Sequence, residues 1–120
     1  MKSSIGAAPN APSPSDIPAP SPQEEAGYEV LRQHTQYLTT ADSESVRAAF
    51  EVSRAAHAGQ FRKSGEPYIL HPLAVAGILA GWHLDPQALC AALLHDVVED
   101  TETSNADIQA RFGPSVAMLV

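Results

Sequence analysis

The run Ala91-Ala92-Leu93-Leu94-His95-Asp96-Val97-Val98-Glu99-Asp100-Thr101 constrains this chain more than any other segment. It starts as an apolar helix and then places a histidine and three carboxylates within about two turns. Buried charge without a partner costs several kcal/mol or forces the group to neutralise. No Lys or Arg lies between Lys63 and Arg111, so a local salt bridge cannot supply the balance. A bound divalent cation can. The segment therefore predicts a metal site on a core helix.

The rest of the chain allows one small domain. Its 120 residues carry a formal net charge of −7, which argues against nucleic acid as a direct partner. Six of the ten prolines fall within the first 22 residues, among Ser and Ala. Such a stretch buries too little apolar surface to offset its ordering entropy, so residues 1–23 are expected to form a disordered tail. Lys2 is the tail's only base and no continuous apolar stretch follows it, which argues against a secretory signal. No segment approaches the length of a membrane span. The single cysteine, Cys90, excludes an internal disulfide and fits a reducing cytoplasm. Its small apolar neighbours mark it as a buried, inert thiol.

Helical periodicity begins at Glu24. Tyr28, Leu31, Tyr37 and Leu38 predict a first amphipathic helix over 24–39. Asp42 or Ser43 can cap a second, with Val46, Ala49, Phe50, Ser53, Ala56 and His57 on one face and Gly59 as its stop. Gly59, Gly65 and Pro67 make residues 59–70 a loop or short hairpin, with Arg62 and Lys63 inside it. A third helix is expected to start at His71-Pro72, with Pro72 in the first helical position. Asp85-Pro86 repeats the start signal for a fourth, which runs to about Glu99 and is apolar on most sides. Ser104 and Asp107 resemble a capping box for a short helix ending at Gly113. The apolar run Val116 to Val120 ends without a cap, which suggests the first part of a longer protein. Alternation of the β type is absent, so the predicted class is all-α.

On a continuous fourth helix, about 100° per residue puts His95 and Glu99 near one azimuth and Asp96 and Asp100 near another. All four can then border one pocket. His71, at the start of the preceding helix, can meet His95 if the two helices pack antiparallel. Two imidazoles and a carboxylate, here that of Asp96, suit Mn, Fe, Co or Zn. An ion held with open positions polarises phosphoryl oxygens and activates water near neutral pH. Glu99 and Asp100 would then manage water and protons without ligating. A lone His-Asp pair is by default a capping or surface pair; Glu99, Asp100 and His71 turn the balance toward a site. The loop Gln60 to Tyr68 holds the only basic cluster of the ordered region, where Arg can stack on a flat base and Lys can meet phosphate. Its plain reading is a solvated loop.

The string Ala56-His57-Ala58-Gly59-Gln60-Phe61-Arg62-Lys63-Ser64-Gly65-Glu66-Pro67-Tyr68-Ile69-Leu70-His71-Pro72, followed by Ala91 through Thr101, resembles the hydrolase domain of RelA/SpoT proteins. These are long bifunctional enzymes that make and degrade ppGpp and pppGpp in the stringent response. The resemblance covers residues 24–120 and implies the all-α helical bundle of the HD phosphohydrolase superfamily, N-terminal part only. It implies Mn²⁺ held by His71, His95 and Asp96, with Glu99 and Asp100 assisting the water that attacks the 3′-pyrophosphate. It also implies that Arg62 and Lys63 grip the guanine nucleotide, with Ser64 and Tyr68 contacting it from the same loop. His57 belongs to the string and is assigned a structural role. His34 and His83 match nothing catalytic, and Trp82 is expected to be a helix-end packing residue.

One branch of that family has lost the metal motif. The intact His95 to Asp100 string favours a hydrolase-competent parent. The family's fourth metal ligand, an aspartate on a later helix, would fall beyond Val120. The same holds for the synthetase, TGS and ACT regions, through which a ribosome contact would run. The expected activity is thus hydrolysis of (p)ppGpp to GDP or GTP and pyrophosphate in the cytoplasm, with no membrane partner. Two other readings are a regulatory or docking module for a downstream synthetase, and an HD phosphohydrolase for a different nucleotide.

Overall fold

Residues 20–101 and 103–120 are described by the structure, a computed structural model. Seven helices occur among them: α1 (Pro22–Gln33), α2 (Thr40–Ala56), α3 (Leu70–Gly81), α4 (Pro86–Leu94), α5 (Val97–Asp100), α6 (Asn105–Phe112) and α7 (Pro114–Leu119). The only extended pairing among the described residues is an isolated antiparallel bridge between Phe61 and Pro67. The all-α expectation therefore holds. No described helix is long and apolar enough to cross a membrane.

Local chemistry starts several helices. Ser21 and Glu24 form a reciprocal capping box: the Ser21 hydroxyl accepts from the Glu24 amide at 3.1 Å, and the Glu24 carboxylate accepts from the Ser21 amide at 2.8 Å. Helix α1 thus begins at Pro22, ahead of the expected Glu24. The expected tail lies outside the described residues up to residue 19. Asp85 caps α4 as expected, accepting from the Ala88 amide at 2.8 Å. Ser104 and Asp107 form the expected box on α6, and Gly113, at φ +94°, follows it.

Four further boundaries differ from the sequence expectation, each for a physical reason. Helix α1 ends at Gln33 rather than near residue 39. Tyr37 is drawn to the α3–α4 turn, where its ring stacks on His83 at 4.4 Å and its hydroxyl donates to the Leu84 carbonyl at 2.5 Å. Thr39, not Asp42 or Ser43, caps α2 by accepting from the Asp42 amide at 3.1 Å. Helix α3 opens at Leu70, which leaves Pro72 inside the first turn, where its missing N–H breaks no helical bond. The expected fourth helix is two pieces, α4 and α5, separated at His95 and Asp96. His95 bonds through its ring to the carbonyl of Ala92, and the chain turns there.

Helix α4 is the centre of the packing and lies against α2, α3 and α7. Its residues Leu89 to Leu94 are all buried, as an apolar-all-round helix requires. Helix α1 packs on α3, and Gly27 is the close approach: a Cβ there would lie 2.9 Å from Leu70 Cδ2. Arg47 joins α1 to α2, with its guanidinium 4.6 Å from the Tyr28 ring and 2.9 Å from Glu25.

Candidate metal centre

The loop after α2 is built by its own backbone. The Arg62 amide donates to the Glu66 carbonyl at 2.9 Å, and the Gly65 amide to the Arg62 carbonyl at 2.8 Å. Gly65 has φ +91°, a conformation that disfavours a Cβ. The expected hairpin-like loop is present, and Arg62, Lys63 and Ser64 are exposed on it. With Phe61 and Tyr68 they line an open cavity of about 510 Å³. Pro67 and Tyr68 return the chain toward α2, where the Tyr68 ring lies 4.5 Å from that of His57.

Helices α3 and α4 pack with the start of one beside the end of the other, so His71 and His95 meet at 6.4 Å between ring centroids, edge to face. Asp96 follows His95 in the turn between α4 and α5. One ligand atom from each of His71, His95 and Asp96 lies within 4.8 Å of the others, and all three residues are half-buried.

One proton of His95 is placed by its backbone partner. Its Nδ1 lies 2.7 Å from the Ala92 carbonyl. A carbonyl only accepts, so Nδ1 carries a proton, and Nε2 is left with either its lone pair or a second proton. That Nε2 faces Asp96 Oδ2 at 3.2 Å. Two lone pairs so close repel unless a proton or a cation lies between them. Together with the second imidazole of His71, this donor set fits a borderline divalent cation.

Glu99 and Asp100, expected to act without ligating, lie on α5. Glu99 is exposed on α5 and outside the three-residue cluster. Asp100 closes α5. The azimuth argument that grouped all four residues of the acidic run assumed an unbroken helix, and the turn at His95 and Asp96 removes that premise. Tyr68 stands between the two parts of the site: its ring lines the cavity with Arg62 and Lys63, while its hydroxyl donates to Asp96 Oδ2. That bond spans 28 positions of sequence, and no local pattern announces it.

The HD domain family model matches residues 49–120. A guanosine-3′,5′-bis(diphosphate) 3′-pyrophosphohydrolase of Vibrio cholerae is 55% identical over 85 residues, 71% of this chain and 12% of that protein. A bifunctional (p)ppGpp synthase/hydrolase SpoT of Escherichia coli K12 is 53% identical over 94 residues, 78% of this chain and 13% of that protein. A GTP pyrophosphokinase of Streptomyces coelicolor is 45% identical over 91 residues, 76% of this chain and 11% of that protein. The chain thus spans 11% to 13% of the length of these relatives.

Proposed function

As this chain belongs to the HD domain family, we propose that it forms the metal-binding part of an enzyme that hydrolyses the 3′-pyrophosphate of (p)ppGpp, releasing GDP or GTP and pyrophosphate. The observation that carries the reading is the meeting of His71, His95 and Asp96 within 4.8 Å, beside a cavity lined by Arg62 and Lys63. The relatives' names agree with it.

Mn²⁺ is the ion proposed for His71, His95 and Asp96, and when bound it supplies Lewis acidity and positive charge for phosphoryl transfer to water. His71 and His95 present imidazole nitrogens, and Asp96 presents a carboxylate that cancels part of the ion's charge. Arg62 lays its planar guanidinium on the guanine base, and Lys63 meets phosphate as a point charge. Ser64 and the Tyr68 ring complete the nucleotide contact from the same loop. The Glu99 carboxylate, exposed just beyond Asp96, takes the proton of the attacking water, with Asp100 as its partner in that task. The same reading places the enzyme in the cytoplasm. It assigns the synthetase, TGS and ACT regions, and a ribosome contact through them, to other parts of a longer polypeptide.

The test is Mn²⁺-dependent release of pyrophosphate from ppGpp by the intact protein. His95→Ala and Asp96→Ala should each abolish Mn²⁺ binding and turnover. Glu99→Gln should keep the ion and lose turnover by about 10²–10⁴-fold, the usual worth of a general base. Mn²⁺ stoichiometry and hydrolysis retained in either ligand variant would sink the assignment. Turnover retained in Glu99→Gln would remove that residue from proton transfer.

A further inference from the structure

We propose that Tyr68 is a positioning residue for the metal centre, its hydroxyl holding the Asp96 carboxylate and its ring held in turn by His57. The inference rests on reading His71, His95 and Asp96 as metal ligands. It assigns Tyr68 a task apart from contact with the nucleotide.

Three contacts form one line through the molecule. His57, at the end of α2, is 3% exposed, and its Nδ1 lies 3.2 Å from the Gln60 side-chain oxygen. Its ring packs on that of Tyr68 at 4.5 Å with an interplanar angle of 35°. The Tyr68 hydroxyl donates to Asp96 Oδ2, in the turn after α4. The side chain of Tyr68 is half-buried, so the bond is shielded from bulk water and stronger than an exposed one.

The chemistry of that bond matters because the other side chain beside the Asp96 carboxylate, His95 Nε2 at 3.2 Å, is itself one of the proposed ligands. Asp96 lies in a two-residue turn between helices, and its side chain makes no capping hydrogen bond to α5. A carboxylate free to rotate would lose conformational entropy on taking an ion. One held by a neutral O–H donor has already lost it. A phenol donor also leaves the negative charge on the carboxylate, which a lysine or arginine in the same place would cancel. Partners of this kind outside the ligand set typically change metal affinity or activity by about 10–100-fold. The same side chain lines the cavity of Arg62 and Lys63, so the loop and the ion-binding turn are tied through one residue.

The experiment is a Mn²⁺ titration of the intact protein, following free Mn²⁺ by electron paramagnetic resonance, on the natural sequence and on Tyr68→Phe. The phenylalanine keeps the ring against His57 and removes only the hydroxyl. The expected result is a loss of Mn²⁺ affinity of about 10–100-fold, with an unchanged melting temperature without metal. A smaller loss of affinity, or a raised KM with affinity intact, overturns the proposal and leaves Tyr68 as a nucleotide contact. Absence of Mn²⁺ binding by the natural sequence overturns the metal centre itself, and this proposal with it. His57→Ala keeps the hydroxyl and frees the ring; it should weaken Mn²⁺ binding less than Tyr68→Phe does, and equal affinity to the natural sequence removes His57 from the line.

Discussion

Cys90 and His95 stand five positions apart, yet their surroundings give them opposite chemistry. Cys90 is 2% exposed against the Ser45 carbonyl, and burial pushes its thiol up to about 11. The thiolate is the reactive form, so the native protein should react with iodoacetamide at pH 8 only as fast as it opens. Denaturant should release full reactivity within minutes, and rapid labelling of the native protein would contradict the burial. The sign for stability follows from linkage. Folding favours the protonated thiol, so this contribution is present at neutral pH and declines from the ordinary value of 9.0 toward 11. His95, by contrast, is 40% exposed at the side chain and anchored by Ala92, which leaves one nitrogen for a ligand. The buried, inert thiol was legible from the small apolar neighbours of Cys90. The choice of nitrogen on His95 was not, because it depends on where a backbone carbonyl three residues earlier points.

At the scale of an element, the loop between α2 and α3 shows what local sequence can carry. Gly59, Gly65 and Pro67 specify a tight return of the chain, and the structure contains one. Gly65 is the residue on which it depends. A Cβ there meets nothing within 4 Å, so the cost of Gly65→Ala is that of the left-handed backbone alone, about 1–2 kcal/mol. The strain would be relieved by moving the turn that presents Arg62 and Lys63. We expect Gly65→Ala to raise KM for ppGpp several-fold, leaving Mn²⁺ affinity intact, as kinetics and titration can check. An unchanged KM would mean that the loop's backbone does not set the position of its cations. Boundaries fixed by distant contacts were less legible. The end of α1 depends on Tyr37 reaching Leu84, and the break after α4 on a turn at His95 and Asp96. Periodicity cannot anticipate either.

Over the whole molecule, α4 packs against three helices and delivers His95 to the start of α3. An ion at that junction would tie the α4–α5 turn to the first turn of α3. Binding to the folded state alone stabilises it by about 2.7 kcal/mol at a ligand concentration 100 times Kd. For a domain of this size that corresponds to a rise in melting temperature on the order of 10 °C. Scanning calorimetry of the intact protein with and without Mn²⁺ should show the rise, and Asp96→Asn should remove most of it. The same rise in Asp96→Asn would place the stabilising ion elsewhere.

By itself the sequence determined the helical class, the caps at Asp85 and Ser104, the buried run of α4, and the imbalance of charge around His95 and Asp96. All of these follow from neighbours within a few residues, through periodicity, capping and the absence of nearby bases. The tertiary structure alone decided that His71 reaches His95, that the helix breaks at His95 and Asp96, and that Tyr68 turns its hydroxyl to Asp96. Those are consequences of how α3 crosses α4 and where the loop returns. Side-chain direction at such distances is set by packing, which no run of adjacent residues encodes.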